Sequence, residues 1–204
     1  EVVEFASYQD LLAADASEVR GKIAYISKRM RRHIDGAGYG EVVIARGKGA
    51  STAASKGAVA LLIRSIGTDS HRLPHTGIMR YDDQYPKIAA AALSNPDADQ
   101  LSRLLKRGSV RVSMHVEAGW TGEYTSHNVI ADITGTEHPE QIVLVGGHLD
   151  SWDLGTGAVD DGAGVGITVG AAHQLLAMNL RPKRTVRVVA FANEEQGLYG
   201  AKAY

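Results

Sequence analysis

The chain has 204 residues, 44% of them hydrophobic, and a formal net charge of −1. This near-neutral balance excludes a strong overall field for nucleic acid or anionic membranes, and an aromatic content of 6% argues against a base-stacking surface. The sequence contains no cysteine, which excludes disulfides, cysteine-ligated zinc and cysteine nucleophiles.

Short apolar strands alternate with helices in the first part of the chain. Three apolar runs predict strands, at 22–27, 58–64 and 87–93. Two further segments predict helices, at 50–56 and 97–107. Residues 110–116 alternate apolar and polar side chains, as a half-buried strand does. We interpret residues 1–115 as a small α/β or β-rich module.

The pattern changes in the remainder of the chain. Strands are predicted at 128–134, 141–147 and 185–192, and a glycine-rich helix at 162–178. The polar loop between the first two strands predicts an antiparallel hairpin. The helix between the last two predicts a right-handed parallel crossover, whose strands end at the sheet edge where ligands bind in open α/β folds.

Residues of the kinds that bind metals follow both parallel strands. His148 and Asp150 come after one strand, Asp160 opens the helix, and Glu194 and Glu195 come after the other strand. One imidazole and several carboxylates at one sheet edge predict a metal-assisted hydrolase. We expect His148, Asp160 and Glu195 to lie within about 6–7 Å of one another, as ligands of a bridged pair of ions do.

The same sequence positions allow specific roles for the other two residues. Asp150 is placed to accept the second N–H of the His148 imidazole, which would fix its tautomer. Glu194 and Glu195 are adjacent, so their side chains diverge, and one can bind metal while the other acts as general base.

Each of these residues taken alone also has an ordinary explanation, as a surface carboxylate or a histidine satisfied within the fold. The whole set at one edge favours a metal site.

The glycines between 155 and 166 fit neither G-x-G-x-x-G nor a P-loop. The basic run at 28–33 predicts a solvated turn, since aromatic residues do not interleave with it.

Four segments carry a resemblance to a known family: Gly-Gly-His-Leu-Asp-Ser-Trp-Asp (146–153), Gly-Ala-Val-Asp-Asp-Gly (157–162), Leu-Arg-Pro-Lys-Arg-Thr (180–185) and Glu-Glu-Gln-Gly (194–197). Together they resemble the co-catalytic dizinc exopeptidases, in particular the carboxypeptidase Q type. Three earlier segments look like the protease-associated domain of that group, at 21–23, 65–66 and 74–78. The resemblance implies an α/β fold in which a protease-associated domain (1–115) is followed by the first part of a zinc-exopeptidase domain (116–204). This second domain would be a phosphorylase/hydrolase-like mixed sheet with flanking helices.

The resemblance also implies a role for each site residue. His148 would be a ligand of one zinc ion, Glu195 a ligand of the other, and Asp160 a bridge between the two. Glu194 would be the general base, and Asp150 would orient His148. The implied reaction is hydrolysis of dipeptides or short peptides, by a secreted or periplasmic protein that has no nucleic-acid partner and is a possible homodimer. The first residues lack a signal-peptide pattern, and no apolar run is long enough to span a bilayer.

The position of the last residue sets a further expectation. Tyr204 lies nine residues beyond Glu195, whereas the family places another Asp and another His ligand downstream. Each zinc would then have two protein ligands, where catalytic zinc normally has three and a water, so we expect the 204-residue chain alone not to be a competent peptidase. The alternative is a binding module whose peptidase-like half has lost catalysis. The presence of all three ligand residues favours the enzyme.

Overall fold

A computed structural model describes residues 1–75, 77–119 and 121–204. The chain divides into two compact units, Glu1–Trp120 and Thr121–Tyr204. Thr76, which belongs to a segment that resembles the protease-associated domain, lies outside the described residues. None of the helices described here is long and apolar enough to cross a membrane.

The first unit is a parallel sheet with helices packed on both faces. Its strands follow chain order across the sheet: β1 (Val2–Phe5), β2 (Ile23–Ile26), β3 (Ala60–Arg64) and β4 (Ala89–Leu93). Its helices are α1 (Tyr8–Ala13), α2 (Ala16–Val19), α3 (Ala37–Ser55) and α4 (Asn95–Leu105). Ile26 and Leu61 belong to the core under α1 and α3, whereas Tyr25 and Leu62 belong to the core under α4. Because both faces are covered, β2 and β3 are continuous apolar runs.

Helix α3 begins well before the predicted segment 50–56. The helix contains four glycines, at 38, 40, 47 and 49, which lower its helix propensity, so the sequence pattern did not predict its first part. Gly49 has a packing role, since a Cβ there would lie 2.9 Å from Leu61 Cδ2. Glycine at this position therefore lets α3 lie close against β3.

The three predicted strands and the helix at 97–107 are confirmed by β2, β3, β4 and α4. The strand predicted at 110–116 is wrong, because this segment is not part of either sheet. Its carbonyl at Val110 accepts a hydrogen bond from the Val2 amide at 2.9 Å, and Val110 and Met114 pack against the core under α4. The alternation reflected one-sided packing on the core rather than membership of a sheet.

The second unit is a three-stranded mixed sheet. Its elements are β5 (Val129–Ile133), β6 (His138–His148), an irregular turn (Ala158–Gly162), α5 (Ala163–Ala177), β7 (Arg184–Phe191) and α6 (Tyr199–Ala203). Strand β7 lies in the centre, antiparallel to β5 and parallel to β6. The predicted parallel crossover through α5 is therefore confirmed.

The hairpin predicted between β5 and β6 is wrong, because β7 separates them. Strand β7 contains the most buried residues of this sheet, Thr185, Val188, Val189 and Ala190, because its central position places it between two neighbouring strands. The loop after β5 bonds to the residues before β7, with Thr136 N donating to Pro182 O at 3.0 Å. A local turn signal could not reveal this long-range insertion.

Arg64 is a buried charge at the end of β3, with a side chain only 5% exposed. Its guanidinium donates to the Ser27 carbonyl at 2.8 Å and to Asp99 Oδ1 at 2.8 Å. Arg29, which is largely exposed, donates to the same carboxylate at 2.7 Å. Burial raises the pKa of Asp99, but the hydrogen bonds from the two guanidinium groups outweigh it, so the pKa lies below its ordinary value.

We predict that Asp99→Asn lowers the free energy of unfolding of the first unit by about 1–3 kcal/mol at neutral pH, because the buried guanidinium loses its anionic partner. As the control, Arg29→Ala removes the exposed ion pair between Arg29 and the same carboxylate, and it should lower the free energy of unfolding by at most about 1 kcal/mol. The folded-state pKa of Asp99 is lowered, so its contribution is present above the unfolded pKa of about 3.9 and is lost as pH falls through the folded value. Urea unfolding at neutral and acidic pH measures both effects. Equal stability of Asp99→Asn and wild type at neutral pH would contradict the role of this carboxylate.

Candidate metal centre

The predicted ligands meet at the carboxyl ends of β6 and β7. His148 ends β6 and pairs with Phe191, which ends β7, so the Glu194–Glu195 pair follows directly on the neighbouring strand. One ligand atom from each of His148, Asp160 and Glu195 lies within 4.8 Å of the others. Within the described ranges, this trio is the one group of three or more such side chains that could hold a metal ion.

Each ring nitrogen of His148 lies within hydrogen-bond distance of an oxygen atom. Nδ1 lies 2.9 Å from the Asp150 carbonyl oxygen, an acceptor that assigns the proton to Nδ1 and leaves Nε2 free to bind a metal. Nε2 lies 3.0 Å from Asp160 Oδ1. Two tetrahedral zinc ligands at about 2.0–2.1 Å from the ion are about 3.3 Å apart. The observed spacing therefore fits Nε2 and the Asp160 carboxylate as ligands of one ion.

Negative charge accumulates around the imidazole. Burial lowers the pKa of His148, but hydrogen bonds to Asp150 and Asp160 and the charge of Glu194 outweigh it and raise the pKa above its ordinary value. Burial and the charges of the neighbouring acidic groups raise the pKa of Glu195. The hydrogen bond from the Trp152 indole lowers it, but the pKa remains above its ordinary value. A divalent cation would relieve this concentration of carboxylates.

The Asp150 carboxylate has a different partner from the one expected. Its Oδ1 lies 3.7 Å from His148 Nδ1, and the backbone carbonyl of Asp150 holds the imidazole instead. The two carboxylate oxygens accept the backbone N–H groups of Glu194 at 2.9 Å and Glu195 at 3.0 Å. Asn193, with a left-handed φ of 52°, bends the chain just before this pair. Asp150 therefore ties the end of β6 to the loop that carries both glutamates.

Asp161 has a structural role that the sequence did not predict. Its Oδ2 accepts the His148 backbone N–H at 3.0 Å, and its Oδ1 accepts the Gly164 N–H at 3.2 Å. A Cβ on Gly147 would lie 2.6 Å from Oδ2, and a Cβ on Gly164 would overlap the carboxylate. Two glycines thus leave space for a carboxylate that joins the end of β6 to the first turn of α5. The sequence signal was the Asp-Asp-Gly-Ala-Gly run at 160–164.

A mainly apolar cavity of about 260 Å³ adjoins the site. Its lining combines backbone glycines, apolar side chains and two site residues: Leu144, Gly146, Gly147, His148, Phe191, Glu194, Leu198 and Ala201. The cavity therefore offers apolar surface directly beside the imidazole and one of the two glutamates.

Comparison with known proteins shows which family the chain resembles. A model of peptidase family M28 matches residues 128–204, which include every site residue described above. The second unit is therefore similar to peptidase family M28 over residues 128–204. Over the whole chain, the sequence is 44% identical to carboxypeptidase Q of Mus musculus and 43% identical to that of Homo sapiens. The chain spans 42% of the length of each of these relatives.

Solved structures show the same likeness. The whole chain superimposes on 46% of a peptidase M28 precursor from Shewanella amazonensis SB2B, with a TM-score of 0.89 and 49% identity. It also matches 45% of an aminopeptidase from Aneurinibacillus sp. strain AM-1, with a TM-score of 0.53 and 26% identity. The family resemblance and the α/β fold with a mixed sheet are thereby confirmed. The assignment of residues 1–115 to a protease-associated domain stays a prediction.

We predict opposite effects for alanine at two glycines of α5. At Gly166 a Cβ meets nothing within 4 Å, so Gly166→Ala should stabilise the helix by about 0.5–1 kcal/mol. Gly164→Ala should destabilise by about 1–3 kcal/mol, because its Cβ displaces the Asp161 carboxylate and thereby frees the His148 backbone. Thermal unfolding, with zinc titration alongside, measures both variants. A Gly164→Ala protein as stable as Gly166→Ala would contradict this account of Asp161.

Proposed function

We propose that the protein is a zinc-dependent exopeptidase that hydrolyses dipeptides or short peptides. The observation that carries the proposal is the convergence of His148, Asp160 and Glu195 within 4.8 Å, in a unit that matches a model of peptidase family M28. Imidazole nitrogen and carboxylate oxygen are donors that zinc takes. The names of relatives support cleavage from a chain end: carboxypeptidase Q, and a probable leucine aminopeptidase 2 of Aspergillus oryzae that is 34% identical over 122 residues.

The ligand set suits two ions. His148 would hold one ion through Nε2 and Glu195 the other, while Asp160, whose side chain is 78% exposed, has two oxygens with which to bridge them. Zinc bound there would polarise the scissile carbonyl and lower the pKa of a bound water to about 7. Asp150 and Asp161 hold the backbones of the ligand residues, which keeps the donors in place before any ion binds.

Glu194 is the residue best placed to act as general base. Its carboxylate lies 3.8 Å from His148 Nε2, and its side chain is 37% exposed, so it is accessible to a substrate at this edge. Its backbone N–H is held by Asp150 Oδ1. In the proposed reaction Glu194 takes the proton from the attacking water and passes it to the leaving amine.

We further propose that the first unit is an accessory module of the protease-associated type. Among its described residues, no group of three or more metal-binding side chains comes together. Its proposed task is to shape the substrate cleft or to form a homodimer contact. A secreted or periplasmic location is proposed from the same family resemblance.

We predict that Glu194→Gln and Glu195→Gln separate catalysis from metal binding. In the full-length protein, Glu194→Gln should retain zinc and lose about 10²–10⁴-fold in turnover, because the amide cannot accept a proton. The adjacent, chemically matched Glu195→Gln should bind zinc far more weakly at one position, because an amide is a far poorer ligand than a carboxylate. Dipeptide hydrolysis and zinc content per chain measure the two outcomes. A Glu194→Gln protein with full kcat would mean that another residue is the general base. A Glu194→Gln protein that loses zinc would mean that Glu194 is the metal ligand and Glu195 the base.

A further inference from the structure

The indole of Trp152 contacts a proposed metal ligand. Its Nε1 donates to Glu195 Oε2 at 2.6 Å, and the contact is partly buried. Indole N–H is a donor only, and a hydrogen bond to an ionised carboxylate is both shorter and stronger than one between neutral groups. Trp152 therefore occupies one oxygen of Glu195 and leaves the other to bind a metal.

One short segment bonds to Glu195 at two points, its backbone N–H and its side-chain carboxylate. Asp150 Oδ2 accepts the Glu195 backbone N–H at 3.0 Å, and Trp152 bonds the carboxylate at 2.6 Å. The same segment begins at His148, whose Nδ1 is fixed by the Asp150 carbonyl. Residues 148–152 thus set the positions of two ligands, one at the end of β6 and one in the turn after β7, which serve different ions in the proposed site.

We propose that Trp152 is a positioning residue of the metal centre, whose N–H holds the Glu195 carboxylate so that it binds through one oxygen. The inference rests on the proposed zinc site. Without the N–H, the Glu195 carboxylate is free to rotate, and the ligand must be ordered when the ion binds. Loss of such an outer partner of a metal ligand typically costs about 10–100-fold in metal affinity.

The test measures zinc affinity of the full-length protein by competition with a chelator. Trp152→Phe keeps an aromatic ring but removes the N–H, so we expect about 10–100-fold weaker binding of one ion and little change for the other. Thr136→Val is the control, since it removes a side-chain hydrogen bond to Pro182 O at the opposite end of β7 and should leave zinc affinity unchanged. Thermal unfolding of the zinc-free proteins reports any general loss of structure.

A double-mutant cycle separates positioning from packing. In a Glu195→Gln background there is no carboxylate to hold, so Trp152→Phe should cause little further loss of zinc affinity. An equal loss in both backgrounds, or no loss in the single variant, would overturn the role of Trp152 while the zinc site itself remains. A wild-type protein that binds no zinc would instead overturn the proposed function and this inference with it.

Discussion

Parallel pairing of β6 with β7 places His148 opposite Phe191, and the whole candidate site depends on that register. Residues more than forty positions apart in sequence become neighbours because both strands end at the same edge of the sheet. The Asp150 carboxylate then joins the two ends through the backbone amides of Glu194 and Glu195. A shift of one residue in this register would send the alternate side chains to the other face and separate the ligands.

The electrostatics of the site follow from this convergence. An imidazole and three nearby carboxylates lie together without a basic side chain among the proposed ligands, and the pKa values of His148 and Glu195 are both raised. Such a site is costly unless a cation or protons balance the charge. Asp150 and Asp161 instead accept hydrogen bonds from backbone amides, which engages their carboxylates with the main chain. In the proposed function, three side chains then remain to bind metal and Glu194 remains for proton transfer.

Both units use glycine to bring elements close together. In the first unit, Gly49 lets α3 lie against Leu61 of β3. In the second, Gly147 and Gly164 leave room for Asp161 between β6 and α5. The first case serves packing of an apolar core, whereas the second makes room for a partly buried, hydrogen-bonded carboxylate. The glycine-rich run near residue 160 therefore has a packing role beside the candidate metal centre.

The sequence by itself determined the local elements and the chemistry. Apolar runs predicted β2, β3, β4 and β7, helical spacing predicted α4, and a glycine-rich segment between two strands predicted α5. The motifs from 146 to 197 carried the family resemblance and the ligand types. Only the tertiary structure decided the strand order β5-β7-β6, because the central position depends on the burial of a whole strand and not on the loop beside it. It also decided the partners of Asp150, Asp161 and Trp152. Those hydrogen bonds depend on loop backbones that converge from separate strands, and no local pattern records where such loops meet.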